Sequence, residues 1–94
     1  MNELTALIIG YGSIGRRHAQ TLATMVERMA IVDSKESART QARDKHSTAT
    51  VVDRLEVLDQ SAFPWESAVA IIATWGPSHS EFFHALAARG GGHI

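Results

Sequence analysis

The sequence predicts an α/β fold built on a doubly wound parallel sheet, and three observations carry this prediction. Two continuous apolar runs, 4–9 and 68–73, are typical of strands that are buried on both faces of a sheet. Stretches with apolar residues at helical spacing alternate with these runs and with two shorter β-rich runs. A glycine-rich segment joins the first run to the first helical stretch. Right-handed crossovers between parallel strands pack such a series, which gives the strand order 3-2-1-4.

The first half of the chain is expected to form three strands and two helices. After the first apolar strand, a helix is expected over 13–27, and a second strand over 29–32. Ser34 is a candidate N-cap for a second helix over 35–46. The β-branched stretch 48–52 is the third strand. The buried positions of the first helix are expected to be Ile14, His18 or Ala19, Leu22, and Met25 or Val26.

The second half completes the alternation. A short helix is expected over 53–59, and the second apolar run is the fourth strand. A last helix is expected over 78–89, opened by a capping box in which Ser78 caps the helix and Glu81 reaches back to it. Residues 93–94 resemble the start of a fifth strand that the chain does not complete. The fold is therefore expected to be incomplete at the fifth strand.

Composition indicates a single soluble domain over 1–94, with apolar residues at 45% and charged residues at 20%. Nine basic and ten acidic residues without a basic cluster argue against nucleic acid as a partner. No apolar run approaches the roughly 20 residues of a membrane span, and the first residues do not resemble a secretory signal. We therefore expect a cytoplasmic protein without a membrane partner. The chain has no cysteine and no pair of histidines at zinc-binding spacing, so no metal site is expected.

The glycine-rich segment GYGSIG, residues 10–15, has the G-x-G-x-x-G pattern of dinucleotide-binding turns. The pattern is weak alone, but here it follows a predicted strand and opens a predicted helix. The first glycine permits the tight turn, the second lets a pyrophosphate approach the backbone, and the third allows close packing of helix on strand. The amides of Ser13 and Ile14 are then available to phosphate oxygens at the positive end of the helix. The competing interpretation is a tight turn without a ligand.

An acidic residue follows the second predicted strand at the position where such folds bind the adenosine ribose. Asp33 is suited to accept hydrogen bonds from the ribose hydroxyls, which favours NAD over NADP. Two alternatives remain open. Lys35 could instead pair with the 2′-phosphate of NADP, and Asp33 could merely cap the following helix.

Two blocks of the sequence, LIIGYGSIGRRHAQTL and AVAIIATWGPSHSEFFHALAARGGGHI, resemble the Gfo/Idh/MocA family of glucose-fructose oxidoreductases and inositol dehydrogenases. In that family a histidine follows the last glycine by three residues, and His18 occupies this position. The second block is similar to the family's fourth strand and following helix. Trp75 and Gly76 depart from the pattern before Pro77, and Glu81 stands where many members have a second histidine.

The resemblance implies the Rossmann-like NAD(P)-binding domain of a dehydrogenase that acts on CH–OH groups of a sugar, inositol or related polyol. The family's catalytic lysine lies in a Glu-Lys-Pro motif that this chain does not reach, so no residue here is expected to be catalytic. The cofactor contacts that the resemblance implies are Gly10, Tyr11, Gly12, Ser13, Ile14, Gly15, Asp33, Ser34, Ala73, Thr74, Trp75 and His79.

A second class of function stays open, namely a non-catalytic NAD-sensing domain that resembles those attached to potassium transporters. Such domains usually carry a Gly-Asp-Ala turn after the third strand, whereas this chain has Asp53 and Arg54 there, so we place the dehydrogenase first. His18 is expected to pack between the first helix and the sheet. The apolar fourth strand would have an open edge, which predicts a homo-oligomer formed through this edge or through the C-terminal domain that the resemblance implies.

Overall fold

The computed structural model describes residues 4–60, 63–74 and 77–90 of the chain. Strands and helices alternate through these residues, as the sequence predicts. All four strands, and every helix except the first, lie within two residues of their expected limits. The elements are β1 Thr5–Ile9, α1 Ser13–Leu22, β2 Arg28–Val32, α2 Glu36–Lys45, β3 Thr50–Val52, α3 Leu55–Asp59, β4 Val69–Ile72 and α4 Pro77–Ala88.

The four strands form one parallel sheet in the order β3-β2-β1-β4. Ile8 of β1 is paired with Ile31 of β2 on one side and with Ile71 of β4 on the other. All five residues of β1 are buried, because this strand lies in the middle of the sheet. The predicted doubly wound α/β fold and the strand order 3-2-1-4 are confirmed.

Side chains of β1 alternate between two apolar layers, one on each face of the sheet. Leu7 and Ile9 pack in the layer that contains Leu55, Leu58 and Leu86 from α3 and α4. The layer on the other face contains Ala6 and Ile8 of β1, Met29 and Ile31 of β2, Ala19 of α1 and Ala42 of α2, together with Tyr11. Helices thus cover both faces, and the carboxyl edge of the sheet is left for the loops.

Helix α1 is shorter than expected, and its predicted buried face is confirmed at Ala19 and Leu22 but not at Ile14 or His18. It ends at Leu22, and its buried residues are Gly15 and Ala19. Ile14 is 61% exposed, and His18 is also exposed, so the predictions that these residues are buried are wrong. The reason is that Gly15 faces the sheet at close range, and the residues four and seven positions later share its face. Ile14 and His18 lie one position away from that face.

Two predicted helix caps are also wrong. The N-cap of α2 is Lys35 and not Ser34, and it makes no side-chain capping hydrogen bond. Helix α4 begins at Pro77, so Ser78 is its second residue and cannot be the N-cap of the expected capping box. Proline suits the first helical position because its missing N–H has no partner there in any helix. The expected fifth strand at 93–94 lies outside the described residues.

An ion pair joins the C-terminal ends of α3 and α4, at the edge of the sheet opposite the glycine segment. The guanidinium of Arg89 donates to both carboxylate oxygens of Asp59, at 2.9 Å from Nε and 2.8 Å from Nη2, and to the carbonyl oxygen of Ala85 at 3.0 Å. It also lies 5.3 Å from the centre of the Trp65 ring. The hydrogen bonds from Arg89 lower the pKa of Asp59.

No helix in the described part of the chain is long and apolar enough to cross a membrane.

Candidate functional site

The turn after β1 lies at the carboxyl edge of the sheet, between the ends of its two neighbouring strands. Gly10 has a φ of +95°, a conformation that side chains disfavour, and its N–H donates to the carbonyl of Val32 at 2.7 Å. A Cβ on Gly10 would lie 3.1 Å from the carbonyl oxygen of Ala73 and 3.1 Å from Cγ2 of Thr74. The chain leaves β1 toward β2 on one side and returns as β4 on the other. Ligands of open α/β sheets bind at this kind of switch point.

The third glycine of the segment brings α1 against the turn. A Cβ built on Gly15 would overlap the carbonyl oxygen of Gly10, and it would lie 3.5 Å from Cβ of Ala73. Only a residue without a side chain allows α1 to start this close to the end of β1. The N-terminus of α1 is therefore held directly over the carboxyl edge of the sheet.

The second glycine borders open space. Gly12 is the N-cap of α1 with φ −86° and ψ −159°, and a Cβ there would have no atom within 4 Å. The first hydrogen bond within α1 is the one that the N–H of Arg16 donates to the carbonyl oxygen of Gly12, at 2.9 Å. The amides of Ser13, Ile14 and Gly15 precede it and have no acceptor within the helix. Free amides, the helix dipole and open space form a cradle that suits a phosphate group.

Asp33 is fixed to this turn by both of its carboxylate oxygens. Oδ2 accepts a hydrogen bond from the N–H of Tyr11 at 2.7 Å, and Oδ1 accepts one from the N–H of Lys35 at 2.8 Å. A carboxylate has about four acceptor positions, so two remain for a ligand. The carboxylate therefore lies beside the glycine turn, where the sequence places the ribose acceptor.

Arg39 is a residue of this region that the sequence reasoning missed. Its Nη1 donates to the carbonyl oxygens of Asp33, at 3.0 Å, and Ser34, at 2.9 Å, and so braces the loop between β2 and α2. Lys35, the alternative partner for a 2′-phosphate, has an exposed side chain on the same loop. The available signal was an arginine one turn into the helix that follows the acidic residue.

Thr74 follows β4 and contributes an unpartnered hydroxyl. Its Oγ1 is buried and has no hydrogen-bond partner among the described residues. The N–H of the preceding Ala73 donates to the carbonyl of Ile9 at 2.7 Å, which holds this segment beside the glycine turn. A buried polar group normally has a partner. The unpartnered hydroxyl beside Gly10, like the open space at Gly12, fits a polar ligand at this edge.

Tyr11 takes part through its backbone, because its side chain is directed elsewhere. The residue is only 4% exposed, and its ring packs in the layer under α1 and α2, with its centre 6.1 Å from that of the His46 ring. Burial raises the pKa of the Tyr11 hydroxyl. Since its N–H is bonded to Asp33, this amide supports the carboxylate and is not free for a phosphate.

The structure thus brings most of the predicted cofactor contacts to one edge, and it locates the others as follows. The segment 10–15, Asp33 and the pair 73–74 meet around the turn. Ser34 lies next to Asp33 with an exposed side chain, and His79 is exposed in the first turn of α4. Trp75 lies outside the described residues.

The family model of the TrkA-N domain matches residues 6–93. Searches of curated proteins and of solved structures found no match. Because the match spans nearly all of its 94 residues, the chain belongs to the TrkA-N family, the Rossmann-like NAD-binding domains of potassium transport regulators. Its cofactor is NAD, as the glycine segment and Asp33 predicted.

Membership of the Gfo/Idh/MocA family, which the two sequence blocks suggested, is wrong. The glycines of the first block are those that the tight turn and the phosphate cradle require, and dinucleotide-binding domains of different families share these two features. In the second block Ala73 is small where α1 packs against the end of β4. Both similarities thus follow from a common fold and ligand.

Proposed function

We propose that this TrkA-N domain is the non-catalytic, NAD-sensing part of a potassium transport system, and that residues 1–94 act as one domain on the cytoplasmic side. The family match favours this function over that of a dehydrogenase. The observation that supports it most directly is the carboxylate of Asp33, which is held against the glycine turn beside the open N-terminus of α1.

In the proposed binding mode the chain holds NAD at three places. The amides of Ser13 and Ile14 bind the pyrophosphate, with the dipole of α1 favouring its negative charge. Asp33 accepts hydrogen bonds from the ribose hydroxyls, and the hydroxyl of Thr74 gains the partner that it lacks. The occupancy of the site would vary with the concentration of NAD, and a difference in the affinity of NAD for two conformations of the domain would shift the equilibrium between them.

The loop contacts explain how occupancy would be transmitted within the chain. Asp33 joins the turn after β1 to the start of α2 through its bonds with Tyr11 and Lys35, and Arg39 braces the same loop from within α2. A ligand on Asp33 therefore acts on two helices at once. This arrangement suits a domain whose output is a change of conformation.

The function is tested by calorimetric titration of the 94-residue chain with NAD and, separately, with NADP, using Asp33→Asn as the variant. We expect NAD to bind more tightly to the native chain. A hydrogen bond to a charged acceptor is worth about 1.5 to 3 kcal/mol, so the variant should bind NAD on the order of 10- to 100-fold more weakly. NADP should lose less, because its 2′-phosphate is no longer opposed by the carboxylate.

Glu27→Gln is the matched control, since it removes one exposed carboxylate next to the opposite end of β2. It should leave both affinities unchanged. Asp33→Asn also weakens the bond to Tyr11, so thermal unfolding of each variant is needed alongside. The ratio of NAD to NADP affinity is the decisive quantity, because loss of folded protein lowers both affinities equally. An unchanged ratio would refute the role of Asp33.

The predicted self-association through β4 stays a prediction. In the described sheet β4 pairs with β1 alone, and Val69 on it is 36% exposed. Light scattering at increasing concentrations of the chain tests it, and a constant monomer mass would count against it.

A further inference from the structure

A groove runs between α1 and α2 on the face of the sheet that they cover. Its volume is about 650 Å³, within the range of small-molecule sites. Three cationic side chains line it, Arg16 and Arg17 from α1 and Lys45 from α2, against a single carboxylate, Asp44. The whole chain has a formal charge of −1, so the groove is a local region of positive charge on a slightly negative protein. This charge favours an anionic ligand.

Two rings form the inner part of the groove. Tyr11 and His46 both line it, and their ring planes meet at 89° with the edge of one toward the other. Nε2 of His46 is buried and has no hydrogen-bond partner among the described residues, so no hydrogen bond at this atom fixes the ring. An aromatic floor under a cationic rim suits a molecule that has both a ring and a phosphate.

We propose that this groove is a second ligand site, separate from the NAD cradle, which binds a small organic phosphate. Arg16 and Arg17 hold the phosphate with their planar, multi-donor guanidinium groups, and Lys45 holds it from the facing helix. Tyr11 supports the organic part of the ligand. Because the cations come from two helices, the site exists only where α1 and α2 are packed together.

The site is coupled to the NAD cradle through two residues, and this part of the proposal rests on the proposed function. Ser13 lines the groove and is also the first residue of α1. Tyr11 has its side chain in the groove while its N–H holds the carboxylate of Asp33 at 2.7 Å. An anion in the groove adds negative charge near the α1 N-terminus, where the proposed binding mode places the pyrophosphate of NAD. This charge weakens NAD binding, by about five-fold for a modest coupling, and linkage requires the reverse effect to be equal.

The test uses inorganic pyrophosphate as the probe and titrates it into the 94-residue chain saturated with NAD, so that the NAD cradle is filled. We expect saturable binding that Lys45→Gln weakens about ten-fold. Arg43→Gln is the control, since it removes one cationic side chain from the same helix outside the groove. It should change the affinity less than two-fold. The imidazole resonance of His46, assigned with His46→Gln, should shift during the titration.

Three results would overturn the proposal. Binding that vanishes when NAD saturates the chain would show that pyrophosphate occupies the NAD cradle. Equal weakening by Lys45→Gln and Arg43→Gln would show attraction to net charge without a site. Absence of binding would show that the groove is not a phosphate site. If NAD itself does not bind, the proposed function fails alone, and the comparison of the two variants without NAD still decides the groove.

Discussion

The sharpest prediction concerns Gly12, because the structure separates its role in folding from its role in binding. Gly12→Ala places a Cβ where no atom lies within 4 Å, on a residue with the ordinary φ of −86°. Replacing glycine at a compatible conformation gains about 0.4 to 1 kcal/mol by restricting the unfolded chain. Alanine is a poorer N-cap than glycine by a similar amount. The two effects offset one another, so the free energy of unfolding should change by less than about 1 kcal/mol.

The same methyl group would stand in the space that the proposed binding mode assigns to the pyrophosphate. Losing one hydrogen bond between a phosphate and an amide costs about 1.5 to 3 kcal/mol. We therefore expect NAD to bind on the order of 10- to 100-fold more weakly. Calorimetric titration with NAD gives the affinity, and urea unfolding gives the stability. A stable Gly12→Ala chain that binds NAD as tightly as the native chain would refute the assignment of the cradle.

Three further predictions concern stability. Gly15→Ala forces a Cβ into the carbonyl oxygen of Gly10, so urea unfolding should show a loss of at least about 1 to 3 kcal/mol; native stability would contradict the close packing. Asp59→Asn removes the ion pair with Arg89 that lowers the Asp59 pKa. The native chain should be more stable than this variant at neutral pH, and the difference should shrink as the pH falls below about 4 and Asp59 becomes protonated. A difference in stability that does not depend on pH would argue against the ion pair. Burial, aided by the neighbouring lysine, lowers the pKa of His46, so below about pH 6.5 the unfolded chain takes up a proton that the folded chain does not. As the pH falls, the free energy of unfolding of the native chain should therefore decrease more steeply than that of His46→Gln. Parallel curves of unfolding free energy against pH for the two chains would disprove this.

The parts of the fold that could be predicted are those that local sequence determines. Residues 6–9 are apolar at odd and even positions alike, which indicates a strand that is buried on both faces of the sheet, and the strand order followed from the right-handed crossovers. The exposure of Ile14 could not be predicted from hydrophobicity, because Gly15 adds nothing to an apolar pattern yet is the residue that meets the sheet at the start of α1. Helix α4 likewise begins at Pro77, which needs no N–H at the first helical position, while Ser78 matched the pattern of an N-cap two residues too late.

In the site, too, residues that a local turn requires could be predicted, whereas contacts between distant parts of the chain could not. Gly10 was predictable because the tight turn requires a positive φ, and the position of Asp33 beside this turn followed from its place directly after the second strand. The bond between Asp33 and the Tyr11 N–H spans 22 positions and has no signature in spacing. Arg39 became part of the site because α2 begins where its side chain can reach two carbonyl groups of the loop.

The cofactor could be predicted when the family could not, because the residues around the glycine turn are common to many dinucleotide-binding domains. A Cβ at Gly15 would overlap Gly10 and come within 3.5 Å of Cβ of Ala73, so a small residue after β4 and a glycine in α1 are coupled requirements. Chains that hold a dinucleotide in this way meet them whatever else they do. Residues that distinguish a sensor from a dehydrogenase must lie where the two use NAD differently, and a sensor has to convert occupancy into motion. In this chain the bonds of Asp33 to Tyr11 and Lys35 join the cradle to two helices, so function is better inferred from those connections than from the glycine motif.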